Sequence, residues 1–267
     1  MTKLDFNATD LTLLFREIGL YNPKNKLYKT QVRKHQQILA YLPHIQSAIN
    51  KLSRKRPIML LDCGCGKSYL SFVLYAYCTK VLGRTIKLFG VDRNLELINA
   101  CKHSAKKLGF SNMYFYCSDA VDFKPSGSVD IVYSLHACDT ATDYTIATGA
   151  NLGAKYIFSV SCCQHSHREK MSGHPLTAAS RFKPYKERLV DMLGDTMRAL
   201  LLEDIGYGVN IFEFVDAKRT PKNIMLRAIK DCVKKQDKNS ALSNYQKMVD
   251  MFHFSPELEI LLKKIDV

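Results

Sequence analysis

The chain has 267 residues, 46% of them hydrophobic, and this length and composition exclude both a disulfide-stabilised miniprotein and a disordered tail. Its 39 lysines and arginines outnumber its 25 aspartates and glutamates, and the resulting net charge of +14 favours a polyanionic partner. The first ten residues lack the pattern of a signal peptide, no run of 18 apolar residues occurs, and the nine cysteines are odd in number. We therefore expect a cytoplasmic protein with reduced thiols and no membrane contact.

The apolar periodicity predicts, from the N-terminus, helices over residues 10–20 and 30–50, the second of them broken near Pro43. Together they form a basic helical extension over residues 1–56. From residue 57 onward, short apolar runs alternate with helical patterns. The predicted strands cover residues 58–61, 86–91, 113–117, 129–135 and 155–160, and the helices between them cover 68–82, 94–108 and 140–151.

This alternation predicts a doubly wound α/β fold, because a strand followed by a helix and another strand requires a parallel sheet with right-handed crossovers. A long helix over residues 185–204 leads to two further strands, 209–215 and 224–229, which close the sheet as an antiparallel pair. The predicted sheet thus has seven strands and is mostly parallel, with an antiparallel last strand. We assign it to a domain over residues 57–230, followed by a helical tail over residues 231–267.

A glycine turn follows the first predicted strand, in the sequence Asp62-Cys-Gly64-Cys-Gly66-Lys-Ser68. Glycines lack the Cβ that would keep a ligand away from the backbone. A Walker phosphate loop would need its first glycine at position 61, which is Leu61, so this interpretation fails on spacing. A dinucleotide fingerprint would need a third glycine at position 69, which is Tyr69, so hydride-transfer chemistry is disfavoured.

The third interpretation is that the turn binds S-adenosylmethionine (SAM), since the chain resembles a class I SAM-dependent methyltransferase. In that family the first strand ends in an acidic residue followed by Gly-x-Gly. The resemblance also implies that an acidic residue after the second strand holds the ribose hydroxyls, and that one after the third strand meets the adenine amino group. The cofactor-binding residues expected on this basis are Asp62, Gly64, Gly66, Asp92, Arg93, Asp119, Ala120 and Leu135.

Ligands of open parallel sheets bind at the carboxyl ends of the strands, so the residues after the fourth and fifth strands are expected to line the reacting centre. His136, after the fourth strand, is the first candidate for a general base, because the pKa of histidine lies near the working pH. The alternative is that His136 packs on the cofactor while Asp139 or Thr140 caps the next helix.

The segment Ser161-Cys162-Cys163-Gln-His165-Ser-His167 follows the fifth strand and admits three interpretations. A zinc site is disfavoured because the cysteines lack the two-residue gap that lets paired thiolates bind one metal, and we expect no metal. Cys162 matches the nucleophile of enzymes that resemble pyrimidine C5-methyltransferases, with His165 near enough to activate it, but the proline partners are absent. We favour a substrate pocket without covalent chemistry, in which His165 is the second candidate base.

Two of these segments, Leu135-His-Ala-Cys138 and Cys162-Cys-Gln-His165, also resemble a methyltransferase group with members that modify tRNA 2′-hydroxyls. The resemblance spans about residues 58–230 and implies an acceptor in tRNA or rRNA. A bacterial-looking branch of the group is indicated by Thr196-Met-Arg-Ala-Leu-Leu-Leu-Glu203, Gly206-Tyr207, Glu213-Phe214 and Thr220-Pro-Lys-Asn-Ile-Met-Leu-Arg-Ala228.

Basic residues are concentrated at 24–34, 51–56 and 218–238, on both sides of the central domain in sequence. Phosphates give such clusters sequence-independent affinity, which favours RNA as the substrate. The alternatives are a protein substrate, a small metabolite, and a domain that binds SAM or another nucleotide without catalysis. For the charge itself, the simplest alternative is a solvated surface that only keeps the protein in solution. No pattern predicts the oligomeric state.

Overall fold

The structure is a computed structural model and describes residues 8–137, 139–161, 164–171, 173–216 and 223–263. Seven strands form one mixed sheet in the order β3-β2-β1-β4-β5-β7-β6. Their bounds are β1 Ile58–Cys63, β2 Ile86–Asp92, β3 Met113–Cys117, β4 Ile131–Ala137, β5 Tyr156–Ser161, β6 Tyr207–Glu213 and β7 Ile224–Lys230. The pairs β1/β2, β2/β3 and β4/β5 are parallel, whereas β7 is antiparallel to both β5 and β6. The predicted fold class is confirmed.

Helices alternate with these strands, as the sequence predicts. They are α1 Ala8–Glu17, α2 Val32–Asn50, α3 Tyr69–Ala76, α4 Leu95–Lys107, α5 Thr140–Asn151, α6 His165–Lys170, α7 Thr177–Ser180, α8 Lys183–Asp204, α9 Lys235–Phe252 and α10 Leu258–Lys263. The predicted ends of α4 are confirmed: the Asn94 side chain accepts the N–H of Leu97 at 3.1 Å, and Gly109 follows the helix with a φ of +69°. Within the described residues, no helix has the length and apolar character needed to cross a membrane.

Two predicted helices differ from the structure. Pro43 does not break α2, which is continuous around it. A proline inside a helix costs about 3 kcal/mol, but Ile38 and Ile45 on either side of Pro43 are fully buried, so burial of the apolar face outweighs that cost. The helix predicted over residues 68–82 is α-helical only to Ala76 and continues as a π-helical turn over Tyr77–Val81.

The chain divides into two compact units, residues 1–130 with 214–223 and residues 131–213 with 224–267. The predicted domain limits at residues 56 and 230 stay predictions. The first unit holds β1, β2 and β3, and the second holds β4 to β7.

In the first unit, buried Arg84 fixes the end of α2 next to the sheet. Its guanidinium donates to the carbonyl oxygens of Ile49, Leu52 and Ser53 at 2.9, 3.1 and 2.7 Å. Carbonyls at a helix C-terminus lack partners within the helix, so Arg84 satisfies them. Because these residues lead directly into β1, they lie at the amino edge of the sheet, opposite the carboxyl edge where β1 ends.

In the second unit, the strand directions determine where α8 begins. Since β7 is antiparallel to both of its neighbours, β6 runs in the same direction as β5. The helix α8 enters β6 at its amino end, so the first turn of α8 lies near the carboxyl end of β5. The short helix α6 follows β5 at that same edge.

Candidate active site

The turn after β1 exposes its backbone to open space. Gly64 and Gly66 have φ angles of +68° and +52°, in the left-handed region that favours glycine. A Cβ added at either position would meet no atom within 4 Å. Ser68 also has a positive φ, of 54°, and its N–H donates to the carbonyl of Cys65 at 2.7 Å. This arrangement gives a ligand room to approach the main chain closely.

Asp62 lies beneath the turn and is buried, with 4% of its surface exposed. Its carboxylate accepts hydrogen bonds from the hydroxyls of Ser71 and, at 3.5 Å, Ser68. The pKa of Asp62 is raised from 3.8 to about 7, mainly by burial; the Ser71 bond opposes this shift and the charge of Asp92 adds to it. Asp62 therefore joins the turn to the start of α3, and its predicted contact with a cofactor stays a prediction.

Asp92, the last residue of β2, joins the glycine turn to the loop that precedes α4. Its Oδ2 accepts the N–H of Gly66 at 2.8 Å, and its Oδ1 accepts the N–H of Asn94 at 2.9 Å. The side chain is half-buried. Each carboxylate oxygen accepts more than one hydrogen bond, so Asp92 retains capacity for two further donors.

Asp119 follows β3 and lies close to the end of β2. The N–H of Ser118 donates to the main-chain carbonyl of Asp92 at 3.1 Å, and the Asp119 carboxylate contacts the guanidinium of Arg93. Both side chains are accessible, with 36% of Asp119 and 71% of Arg93 exposed. Exposed ion pairs contribute little to stability, so a ligand can replace this one. Ala120, next in the chain, is half-buried.

The described cysteines are free thiols, and three of them surround the turn. Burial raises the pKa of Cys63, Cys65 and Cys101, the last to about 12, so these thiols are protonated at neutral pH. The Cys101 thiol donates to the carbonyl of Gly66 at 3.5 Å. These three cysteines pack as apolar groups that support the turn.

In the second unit, β4 extends to Ala137. His136 therefore lies within the strand, which corrects its predicted position in the loop after the strand. The pairing of β4 with β5 shifts between Leu135 and Ala137, a local irregularity of the strand pair. Leu135 is half-buried, and the predicted roles of both residues stay predictions. Cys138, Cys162, Cys163 and residues 217–222 lie outside the described residues, so the nucleophile hypothesis for Cys162 stays a hypothesis.

Asp139 precedes α5 but does not cap it, contrary to the simplest expectation. Its backbone has a φ of 55°, and its carboxylate makes no capping hydrogen bond to α5. Instead it accepts the N–H of Ser166 at 3.2 Å and the Ser166 hydroxyl at 2.6 Å. The loop after β4 is thereby fixed to the first turn of α6.

The start of α6 is fixed a second time by Gln164, which is buried. Its amide nitrogen donates to the carbonyl of Asp191 at 3.2 Å and to the Asp195 carboxylate at 3.3 Å, both on α8. A Cβ at Gly194 would lie only 1.8 Å from the Gln164 oxygen, so this glycine provides the space for the contact. A glycine inside an otherwise regular helix is the sequence signal for such close packing, and Gly194 is not among the residues predicted from the sequence.

His167 and His165 share α6 but differ in environment. His167 is buried and its Nδ1 lies 2.7 Å from the Gln164 oxygen. Burial, and then the charge of Arg198, lower the pKa of His167 to about 4, so the ring is neutral at neutral pH. His165 is exposed. Of these two histidines, only His165 is accessible to a substrate.

Arg198, a residue of the predicted bacterial motif, is fully buried and fixes α8 to α5. Its Nε and Nη2 donate to the two oxygens of Asp143 at 2.7 and 3.1 Å, and its Nη1 donates to Asp195 at 3.2 Å. Burial alone would lower the pKa of Arg198, but the two carboxylates raise it. The Ser161 hydroxyl, at the end of β5, also donates to Asp195 at 3.1 Å. Arg198 is therefore structural, and no signal in the sequence joins it to Asp143, 55 residues away.

The basic clusters of the first unit lie at different edges of its strands. Lys34, in the 24–34 cluster, lies 4.7 Å from the ring centroid of Tyr69, directly after the glycine turn. Burial, and next the charge of Lys67, lower the pKa of Lys34. The 51–56 cluster precedes β1 and therefore lies at the amino edge, where Arg56 pairs with Asp130 at 2.6 Å. Of these two clusters, only the first is near the turn, a distinction that their positions in the sequence did not predict.

A mixed seven-stranded sheet with a glycine turn after β1 and carboxylates at the ends of β2 and β3 is typical of Rossmann-like proteins that bind nucleotides. Within that class, residues 33–170, just over half of the chain, match the family described as "Methyltransferase domain". The chain belongs to this family. The predicted enzyme class, a SAM-dependent methyltransferase, is confirmed.

Several solved structures are similar to the chain at low sequence identity. The CMeT domain of the citrinin polyketide synthase has a TM-score of 0.50 and 14% identity. The alignment covers 82% of this chain but only 59% of that chain. A SAM-dependent methyltransferase from Aquifex aeolicus has a TM-score of 0.44 and 16% identity over 76% of this chain and 97% of its own. Magnesium protoporphyrin IX methyltransferase from Synechocystis PCC 6803, with bound SAM, has a TM-score of 0.46 and 17% identity. The alignment covers 84% of this chain and 93% of that chain. No curated protein sequence matches the chain.

Proposed function

We propose that this methyltransferase holds SAM at the carboxyl edge of β1, β2 and β3 and transfers the methyl group to RNA. One observation carries the cofactor part of the proposal. The Asp92 carboxylate accepts the N–H of Gly66, so a carboxylate and an open glycine turn form one rigid cradle. A diol needs two acceptors beside it and a close approach to the backbone, and this cradle offers both.

Each of the residues that would hold SAM suits a different part of the ligand. The open turn at Gly64 and Gly66 suits a part of the ligand that approaches the main chain. Asp92 suits the two ribose hydroxyls, and Asp119 suits the adenine amino group once its contact with Arg93 is exchanged. Asp62, which is buried, supports the turn from below.

When bound, SAM supplies an electrophilic methyl group on a sulfonium. An in-line displacement needs the acceptor about 3 to 3.5 Å from the methyl carbon, and such positioning lowers the barrier by about 7 to 11 kcal/mol. A hydroxyl or protonated amine must also lose a proton, for which His136 is our first candidate base and exposed His165 the second. If the acceptor is C5 of a pyrimidine, Cys162 would be the nucleophile instead.

RNA as the acceptor rests on charge and on the resemblance. The exposed basic side chains Lys24, Lys26, Lys29 and Arg33 belong to the same segment as Lys34, which lies against Tyr69 after the turn. Phosphates would bind such a segment without sequence preference. The resemblance of Leu135-His-Ala-Cys138 and Cys162-Cys-Gln-His165 to enzymes that modify tRNA 2′-hydroxyls favours RNA over a protein or a metabolite.

The cofactor site is tested by titrating SAM into the wild type and three variants in a calorimeter, with NAD and ATP as competing ligands. We expect Asp92→Ala to weaken SAM binding at least about 100-fold, because it removes a charged acceptor. Asp92→Asn keeps one oxygen for Gly66 and should lose about tenfold. The matched control Glu96→Ala, an exposed carboxylate in the first turn of α4, should bind as the wild type does. Normal SAM binding by Asp92→Ala would contradict the ribose assignment.

The acceptor is tested by incubating the enzyme and labelled SAM with total RNA and, separately, with an RNase-treated lysate. Label in RNA supports the proposal, whereas label only in the RNase-treated lysate would move the substrate to a protein or a metabolite. SAM binding without any transfer would favour a non-catalytic domain. His136→Ala should preserve SAM binding and slow transfer, and Cys162→Ala should abolish turnover only in the C5 mechanism.

A further inference from the structure

Two aromatic side chains of the second unit are exposed where α7 leads into α8. Phe182 and Tyr185 are 49% and 58% exposed, and their ring centroids lie 6.1 Å apart with an interplanar angle of 78°. The guanidinium of Arg181 lies over the Phe182 ring, 4.6 Å from its centroid. Large aromatic rings are costly to leave in water, so a pair of half-exposed rings with a cation on one face indicates a binding surface.

The charge around these rings is strongly positive. The segment 181–188 contains four basic residues, Arg181, Lys183, Lys186 and Arg188, and one acidic residue, Glu187. That acidic residue is paired with Arg168 at 3.3 Å. The charge of Lys186 also helps to lower the pKa of His174, after the effect of burial, so positive potential reaches beyond the helix itself.

The backbone beneath the rings is held in place. Buried His174 accepts the N–H of Leu176 through Nδ1 at 3.1 Å, and its Nε2 lies 3.1 Å from the Ser180 hydroxyl. Its ring packs on Phe252, with centroids 5.6 Å apart. The rings therefore stand on a preformed turn, which reduces the entropy lost when a ligand binds.

This surface also lies at the carboxyl edge of the strands in the second unit. Gln164, three residues after the end of β5, is bonded to Asp191 of α8. Tyr185 lies six residues nearer the start of α8, about 9 Å further beyond the carboxyl edge at the helical rise per residue. A ligand on the rings would thus extend from the edge where the loops after β4 and β5 lie.

We propose that Arg181, Phe182, Tyr185 and the basic residues around them form a stacking surface for unpaired bases of a single-stranded RNA segment. Aromatic rings stack on any base, and the lysines and arginines bind the phosphates between the bases. The inference rests on the proposed function only in that RNA is the proposed substrate, and it adds a surface of the second unit on which unpaired nucleotides bind.

The test uses the fact that the chain contains no tryptophan. In Phe182→Trp the only tryptophan reports on this surface, and in the control Leu242→Trp it reports on an exposed position of α9. We expect a twelve-residue oligouridylate to quench the fluorescence of Phe182→Trp and not that of Leu242→Trp. Heparin, a polyanion without bases, should bind without quenching. Equal quenching in both proteins, or quenching by heparin, would overturn the proposal.

A second measurement is independent of the tryptophan. Phe182→Ala/Tyr185→Ala should bind the oligouridylate about 10- to 100-fold more weakly than the wild type, since each ring supports one base. In RNA methylation the same variant should raise KM for RNA and leave kcat and SAM affinity unchanged. The control Leu242→Ala/Met251→Ala removes two exposed apolar side chains elsewhere and should change neither.

The outcomes separate the two proposals. If RNA is methylated with the same KM by wild type and Phe182→Ala/Tyr185→Ala, the stacking surface is wrong and the proposed function stands. If the oligouridylate quenches Phe182→Trp but no RNA is methylated, the surface stands and the proposed substrate is wrong. If an acidic peptide binds better than the oligouridylate, and does so through the rings, the partner is a protein and the inference fails.

Discussion

The three aspartates at the strand ends of the first unit have the same side chain but different environments. Asp62 is buried and bonded to hydroxyls, Asp92 is half-buried and bonded to two N–H groups, and Asp119 is half-buried and contacts Arg93. Their positions were predictable from the sequence because acidic residues at strand ends follow a simple pattern. Their different environments were not, since these depend on Ser71 and other residues that pack around each carboxylate.

The raised pKa of Asp62 predicts a specific pH dependence of stability. Its folded pKa of about 7 lies above the ordinary value of 3.8, so between these pH values the folded state binds more protons than the unfolded state. The contribution of Asp62 to the free energy of unfolding therefore falls as the pH rises through this window. Asp62→Asn is neutral throughout and should gain stability relative to the wild type by up to about 1.4 kcal/mol per pH unit.

Urea unfolding of both proteins at pH 5, 6 and 7 measures this difference, and the opposite effect of His167 cancels because both proteins contain it. Asp122→Asn, an exposed carboxylate in the same unit, is the control and should show a constant offset. A constant offset for Asp62→Asn as well would mean that its pKa is not raised.

At the scale of elements, the sequence predicted every strand to within two residues, because buried parallel strands are short apolar runs with glycine or acidic residues after them. It was wrong where long-range packing overrides local preference. Pro43 lies inside α2, and α3 passes into a π-helical turn. The attachment of α6 to α8 through Gln164 and Gly194 was equally hidden, since the two residues are 30 positions apart.

The ion pair between α8 and α5 predicts a large effect on stability from one side chain. Arg198→Met leaves Asp143 buried and without its cation, and we expect this to cost about 3–5 kcal/mol of unfolding free energy. Lys107→Met, which breaks the more exposed pair with Glu17, should cost about 0–1 kcal/mol. Adding Asp143→Asn to Arg198→Met should recover part of the loss. Equal effects of Arg198→Met and Lys107→Met would show that burial does not matter here.

At the scale of the whole molecule, a net charge of +14 attracts any polyanion, so the total cannot identify a substrate. Position is more informative than amount. In the first unit, the exposed cations of the 24–34 cluster lie on the segment that packs beside the glycine turn, whereas the 51–56 cluster lies at the amino edge of the same strands. Of these two clusters, we therefore expect only the 24–34 cluster to contribute to methyl transfer to RNA.

This difference predicts how two triple variants of equal charge behave. Lys26→Gln/Lys29→Gln/Arg33→Gln and Lys51→Gln/Arg54→Gln/Lys55→Gln each remove three exposed positive charges and leave the Lys34 and Arg56 contacts intact. Each phosphate contact contributes about 0.7 to the slope of log K against log salt for single strands. The first variant should therefore lower the slope for RNA by up to about 2 and slow methyl transfer at low RNA concentration.

The second variant should retain both the slope and the transfer rate, because its charges lie at the amino edge of the strands, opposite the proposed SAM site. Titrations between 50 and 300 mM salt, about a 2.4-fold change in Debye length, cover the range in which the slope is measured. Identical losses in the two variants would mean that RNA responds only to the overall field of the protein. In that case the 24–34 cluster would not be a distinct part of the substrate path, and the charge would attract RNA without regard to its position on the protein.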